Sequence, residues 1–398
     1  MADAGPVGPA AQAALTTGTS APDTGTVAGM SEREGSQRER GMSERAPAGD
    51  RPPGPPGADP AVVGPYLARV LDEPDWRECA VELVPGGRSN LTYRVHSPAG
   101  TLVLRRPPLR AVRPTAHDMV REHRVISALA GTAVPVPRTL HLCTDPAVLG
   151  APFYLMEFVP GVIARSTLPA GYADRPADRL AIAHALVDVL VQLHAVEPAA
   201  VGLADFGRPE GYLGRQVRRW TGEWDALRDQ DRPALDRLAA DLAATVPAQP
   251  SGPVLHGDYR LDNVVLDPGR PDRIAAVLDW EMSTLGDPLA DVGLLVVYWR
   301  ANRDDPRHPA AVPSVTGQPG FPGRREVVQR YAERSGRDVS ALPWYVAFGL
   351  FKLAVVVAGI VARQRAGAMA GKADDGIAGT IDGLVEGGRY ALATADVY

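Results

Sequence analysis

The segment His256-Gly-Asp-Tyr-Arg-Leu-Asp-Asn263 and the two apolar runs behind it restrict this chain more than any other feature. The runs are Val264-Val-Leu266 and Ile274-Ala-Ala-Val-Leu278, and Asp279-Trp-Glu281 closes the second. Asp267-Pro-Gly-Arg-Pro271 between them is a turn signal. The pattern predicts loop, strand, turn, strand. Such a hairpin carries Asn263, ahead of its first strand, to Asp279, behind its second. A lone Asp or Asn beside a hairpin is usually a turn former. An acid, an amide and a second acid at this spacing describe a site.

The residue types suit phosphoryl transfer. That reaction passes through a loose transition state with charge spread over phosphate oxygens, so the protein mainly positions groups and supplies electrostatics. Asp258 can orient a hydroxyl nucleophile. Asn263 and Asp279 offer an amide and a carboxylate oxygen, and magnesium takes hard oxygen ligands completed by phosphates and water. An ordinary carboxylate suffices as base, because little proton has moved when the leaving bond loosens.

HGDYRLDN at 256–263 and LDWEMSTLGDPLADVG at 278–293 resemble the aminoglycoside phosphotransferase family, small-molecule kinases with a protein-kinase-like fold. The resemblance spans roughly 60 to 390. The stretch 320–367 is similar to one branch, which includes kinase-like domains fused to acyl-CoA dehydrogenases. The resemblance implies an α+β, two-lobed fold: a small, mainly antiparallel β lobe with one key helix, and a larger, mainly helical lobe. It implies Asp258 as catalytic acid/base, Asn263 and Asp279 as metal ligands, and Asp291 as the carboxylate that braces the catalytic loop. His256 is expected to support that loop through hydrogen bonds. Glu281 reads equally well as a neighbour of the metal or as an ordinary loop carboxylate.

Residues 58–159 read as the small lobe. A helix is predicted near 60–72, and strands near 79–85, 90–96 and 101–106. Gly86-Gly87-Arg88-Ser89-Asn90 between the first two strands is a candidate phosphate loop: glycine lets the backbone approach, and Ser89 and Asn90 can donate. In strand 101–106, Leu102 and Leu104 face one way, Val103 and Arg105 the other. A helix over 115–130 puts Glu122 on the same stripe as Met119, Ile126 and Leu129. A carboxylate on an apolar face is costly unless it meets a cation. Kinase-like folds pair a strand lysine with a helix glutamate over the nucleotide phosphates. No lysine precedes Lys352 here, so Arg105 is expected to take that place with Glu122. A register slip of one residue would substitute Arg106. Phe153–Val159, before Pro160-Gly161, reads as a buried strand. By resemblance it is the hinge, with backbone groups near Glu157 and Val159 meeting the adenine.

Residues 160–398 are expected to be mostly helical. Ile182, Leu186, Leu190 and Leu193 predict a core helix over 176–196, with His194 structural. Trp344–Val361 is apolar enough to suggest a membrane span, but Lys352 sits in its middle, and Gly349 and Gly359 suit close helix packing. A buried helix is expected instead. The acceptor is placed among parts of 205–225 and 295–365.

There is no G-x-x-x-x-G-K-[ST], and Asp287-Pro-Leu-Ala-Asp291 follows Asp279 too soon for a protein kinase's activation segment. A small-molecule hydroxyl acceptor follows. The branch suggests a hydroxy acid or hydroxyacyl thioester. The family name suggests an aminoglycoside, for which Asp374, Asp375, Asp382 and Glu386 could supply acidity, though such a cluster is commonly a solvated helix face. The expected cosubstrates are ATP and Mg2+. A nucleotide-binding pseudokinase and a purely structural protein are the readings from other classes. A net charge of −5 shows no basic excess that would suggest nucleic acid, and 45% hydrophobic residues suffice for a two-lobed core. Cys79 and Cys143 are too few for a disulfide framework, in keeping with a reducing cytoplasm. Residues 1–57 are rich in Ala, Gly, Pro and Ser, with no aromatic residue before Tyr66 and no apolar signal-type stretch. Disorder is expected there, and Met30 or Met42, each opening Met-Ser-Glu-Arg, is a candidate translation start.

Overall fold

The alternating strands near the N-terminus assemble into one antiparallel sheet. It is seen in a computed structural model describing residues 54–85, 90–109, 118–227, 232–248, 252–300, 314–365 and 375–394. Strands β1 (Ala80–Leu83), β2 (Leu91–Ser97), β3 (Gly100–Arg106), β4 (Thr139–Cys143) and β5 (Phe153–Glu157) lie in the order β1-β2-β3-β5-β4. Most of the N-terminal extension lies outside the described residues, as do Gly86–Ser89 of the candidate phosphate loop. Pro56 and Gly57 are nonetheless part of the lobe. The Pro56 carbonyl accepts from the Tyr93 hydroxyl and that of Gly57 from Arg106.

Each face of the sheet is covered by one helix. Leu102 and Leu104 pack with Tyr93, Val95 and Leu155 under helix α1 (Pro60–Val70), which Asp59 caps through the Ala61 N–H. Val103, Tyr154 and Met156 face helix α2 (Met119–Leu129), from which Met119, Val125, Ile126 and Leu129 are buried. A fully buried side chain such as Leu104 stabilises by about 2 kcal/mol. The α2 face continues without a break into the core of the helical lobe, so one of the two apolar faces also joins the lobes.

Beyond the short helix α3 (Pro146–Leu149), the large lobe comprises α4 (Pro176–His194), α5 (Tyr212–Leu227), α6 (Pro233–Ala244), α7 (Leu289–Tyr298), α8 (Arg324–Ser335), α9 (Leu342–Arg365) and α10 (Asp375–Ala393). The apolar segment weighed as a membrane span is α9. Within Leu342–Gln364 the most apolar window has a mean hydropathy of 2.2, and 83% of that window is buried. A helix apolar on all sides is a core helix when neighbours cover it; here α5, α7 and α10 do so. A Cβ at Gly349 would stand 3.0 Å from the Val297 side chain on α7, so the small residue permits the close crossing. On α10, Asp382 and Glu386 are exposed, and Asp382 pairs with Arg232 at 2.7 Å.

Two small ribbons pack on α4 of the large lobe. Strands β7 (Val264–Leu266) and β8 (Ile274–Val277) form the expected hairpin, with Val264 opposite Val277. Strands β6 (Val254–Leu255) and β9 (Thr284–Leu285) form the other. The chain leaving β5 hooks onto the hairpin through paired backbone bonds between Val162 and Leu266, at 2.9 and 2.8 Å. Gly161 allows this approach, since a Cβ there would stand 2.3 Å from the Leu266 carbonyl.

Candidate active site

The hairpin fixes the first two functional side chains. Leu278 N–H donates to the Asn263 carbonyl at 2.8 Å, so the backbone bond brings the amide beside the segment that bears Asp279. Asp279 itself is in the left-handed region, at φ 64°. Aspartate tolerates that region better than most residues, and strain of this kind collects at functional sites. Trp280 follows, buried, its indole N–H donating to the Val277 carbonyl at 3.0 Å.

The catalytic loop hangs from Asp291. One carboxylate oxygen accepts from the His256 N–H at 2.8 Å and from His194 at 3.2 Å; the other accepts from the Gly257 N–H at 2.8 Å. Burial alone would raise this carboxyl's pKa; its hydrogen bonds from the His194 ring and the His256 backbone N–H bring it below the usual carboxylate range. His194, which also meets the Tyr331 hydroxyl at 2.8 Å, is a brace behind the brace. The His256 ring bonds the Leu278 carbonyl through Nε2 at 2.8 Å and accepts the Asp258 N–H at Nδ1, at 3.2 Å. These partners assign the neutral ring with its proton on Nε2. Gly257 has φ 85°, and a Cβ there would lie 2.5 Å from the Met282 carbonyl. Only glycine makes this turn without displacing the loop.

Asp258 is 5% exposed. Asn263 Nδ2 donates to its carbonyl at 2.8 Å and to its carboxylate at 2.9 Å. The amide nitrogen is thus committed, which leaves the Asn263 amide oxygen as the metal-facing donor. Arg260, to which the sequence reading gave no role, lies across the same carboxylate. Its guanidinium is 3.3 Å from Asp258 and 2.7 Å from Asp262, over the Tyr298 ring at 4.8 Å. Desolvation would lower its pKa, but Asp258 and Asp262 hold it above its ordinary value. Beside it lies a small open cleft with Arg165, Asp262 and Trp299 on its walls.

The strand arginine and the helix glutamate meet. Arg105 Nε lies 2.9 Å from Glu122, and its Nη2 lies 2.6 Å from Asp279. One planar guanidinium therefore joins small-lobe strand, small-lobe helix and hairpin end. Burial pushes the Glu122 carboxyl up, against the pull of Arg105, and Arg105 is held well above its ordinary value by Glu122 and Asp279 despite desolvation. Arg106 faces the other way and donates to the Gly57 and Leu149 carbonyls at 2.7 and 2.8 Å. The strand register thus settles the choice between the two arginines.

Other candidates sit differently. Ser89 lies outside the described residues. Asn90 is buried and turned inward, with Nδ2 at 3.1 Å from Glu281 and 3.4 Å from Glu122. It ties the start of β2 to the hairpin end instead of facing out from the loop. Glu281 is thereby an interlobe contact, a role that no local pattern could announce. In the hinge, the Glu157 N–H donates to the Arg138 carbonyl at 2.9 Å, while Val159 lies just past β5. Arg121 was also missed. From α2 it donates to the Phe206 and Ser283 carbonyls at 2.5 and 3.1 Å, over the Phe206 ring at 3.8 Å.

The donor set fits magnesium. Among the described residues no group of three or more His, Cys, Asp or Glu could hold a metal by itself. Magnesium asks for less, taking one or two protein oxygens together with phosphates and water. Asp279 presents a part-exposed carboxylate and Asn263 the amide oxygen left by its bonds to Asp258.

Comparison with known proteins shows the family and the fold. The model of the phosphotransferase enzyme family matches residues 80–327. Mouse acyl-CoA dehydrogenase family member 10 is 36% identical over 289 residues, 71% of this chain and 26% of that protein. Human acyl-CoA dehydrogenase family member 11 is 36% identical over 292 residues, 71% of this chain and 36% of that protein. The chain thus matches well under half the length of these relatives. A crystal structure of a "putative aminoglycoside phosphotransferase" from Ralstonia eutropha is 32% identical, with a TM-score of 0.70 over 84% of this chain and 98% of that one. The chain belongs to the phosphotransferase enzyme family, carries its protein-kinase-like fold, and is related to the kinase-like part of the acyl-CoA dehydrogenase family members.

Proposed function

We propose that this phosphotransferase moves the γ-phosphoryl group of ATP, with magnesium, to a hydroxyl of a small molecule in the cytoplasm. A hydroxy acid or hydroxyacyl thioester is the favoured acceptor. The observation that carries the reading is the Asp258 carboxylate, fixed by Asn263 and Arg260 beside a hairpin end that presents Asp279. Asp258 orients the acceptor hydroxyl and takes its proton as the bond to phosphorus forms. Arg105, held by Glu122, meets the phosphates that approach Asp279. With the Glu157 N–H already used, the adenine contacts fall to the Glu157 carbonyl and to Val159. Magnesium on Asn263 and Asp279 would neutralise charge on the phosphate oxygens.

The test is a thermal shift with and without Mg-ATP on wild type and Asp279→Ala. Ligand at about a hundred times its Kd stabilises by roughly 2.7 kcal/mol, or a couple of degrees for a chain of this size. A magnesium-dependent shift in wild type, lost in Asp279→Ala, is expected. Asp258→Asn should keep the shift and lose transfer. Full transfer activity in Asp258→Asn would sink the assigned role, and no shift in wild type would favour a non-catalytic module.

A further inference from the structure

The small open cleft beside the catalytic loop has Arg165, Arg260, Asp262, Tyr298, Ser314 and Thr316 among its lining residues. It lies one guanidinium away from Asp258. Arg260 is 7% exposed, with Nε 3.3 Å from the Asp258 carboxylate and Nη1 2.7 Å from Asp262. The Tyr298 ring backs that guanidinium at 4.8 Å. The Ser314 and Thr316 hydroxyls bond each other at 2.9 Å, and that of Thr316 accepts the Arg300 N–H at 2.8 Å. Those two residues therefore shape a wall and leave the charge of the cleft to its arginines and its aspartate.

Arg165 differs from Arg260. It is exposed, yet its backbone is anchored: Val162 pairs with Leu266, and Ala164 is fully buried. Its guanidinium forms no ion pair and no hydrogen bond among the described residues. Two arginines thus line the cleft against one aspartate, and that aspartate already pairs with Arg260. One positive charge is left over, on a planar fork that matches a carboxylate. A polycationic acceptor would meet repulsion here, and an acceptor with one carboxylate would meet its complement.

We infer that this cleft holds a carboxylate of the acceptor, with Arg165 as its counter-ion and Arg260 beside it, while the acceptor's hydroxyl meets Asp258. Arg260 touches the base and lines the cleft, so the two groups of the acceptor stand only a few carbons apart. This rests on the phosphotransferase reading and deepens it, by choosing a short hydroxy acid with a free carboxylate over its thioester.

The experiment uses the full chain as wild type, Arg165→Met and Arg165→Glu. Arg165 is exposed and outside the catalytic loop, so neither change threatens the fold. Each protein is titrated calorimetrically with Mg-ATP. Each is then assayed with short straight-chain hydroxy carboxylates and with the matching hydroxy amides, which keep the size and lose the charge. Wild type should favour a hydroxy carboxylate over its amide by about tenfold in kcat/KM, the size of one charge-assisted hydrogen bond. Arg165→Met should bind Mg-ATP as wild type does, use the amide as wild type does, and lose most of the preference, chiefly in KM. Arg165→Glu should reverse it. Retention of the preference by both variants overturns the inference. So does a wild type that binds Mg-ATP yet favours amides or uses no hydroxy carboxylate; the phosphotransferase reading would survive that result. A wild type that does not bind Mg-ATP removes both.

Discussion

Arg105 shows how much one side chain can be asked to do. Its guanidinium reaches Glu122 through Nε and Asp279 through Nη2, two directions that a planar fork satisfies together. An ammonium is a point charge on a flexible stem and cannot span both. Arg105→Lys should therefore weaken Mg-ATP binding by about tenfold and cost roughly 1–2 kcal/mol of stability. Calorimetric titration and urea unfolding measure the two effects, and unchanged affinity would take Arg105 out of the nucleotide site. The pair was legible in the sequence because Glu122 violates its helix's apolar stripe and strand alternation points Arg105 toward that helix. Lys352 interrupts an apolar helix just as visibly, but its neighbour Trp220 lies far away in sequence, so it read only as an argument against a membrane span.

At the scale of elements, Asp291 joins α7 to the catalytic loop and, through His194, to α4. Its carboxyl lies below the ordinary 3.8 in the folded state. The folded chain therefore takes up that proton less readily than the unfolded one. The stabilisation is complete above the unfolded value and is lost as pH falls through the folded value. Asp291→Asn should be less stable than wild type by about 3 kcal/mol at pH 7, with the gap narrowing below about pH 4. Urea unfolding at several pH values checks this, and a gap that stays constant into acid would refute the coupling. The sequence placed α1, α2, α4, α9 and the β7–β8 hairpin well, because apolar period and turn residues are local signals, and it gave no range for the other helices. It did not show β4 or the β6–β9 ribbon: Thr139–Cys143 lacks the buried apolar run that marks β5, and the two-residue strands β6 and β9 have no period to read.

At the scale of the whole molecule, the lobes are held by contacts between distant parts of the chain. Arg121 on α2 reaches the Phe206 and Ser283 carbonyls, Arg124 pairs with Asp205, and Asn90 reaches Glu281. Arg121→Ala removes two of these bonds and a cation–π contact without touching Asp258 or Asp279. It should raise amide exchange in α2 and weaken Mg-ATP binding severalfold, while global stability falls by about 1–2 kcal/mol. Exchange in α2 equal to wild type would show that Arg121 does not hold the lobes together. The sequence by itself determined, through the motifs at 256–263 and 278–293, the family and its kinase-like fold. Asn263 and Asp279 are brought together by one hairpin, with Asp258 five residues before it, and hydrophobic period is written residue by residue. Only the tertiary structure decided that Asn90 turns inward, that Glu281 bridges the lobes, and that Arg260 lies across the Asp258 carboxylate. Those outcomes depend on which side chains meet across long loops, and the free energy of such meetings is set by burial and partners that no local pattern contains.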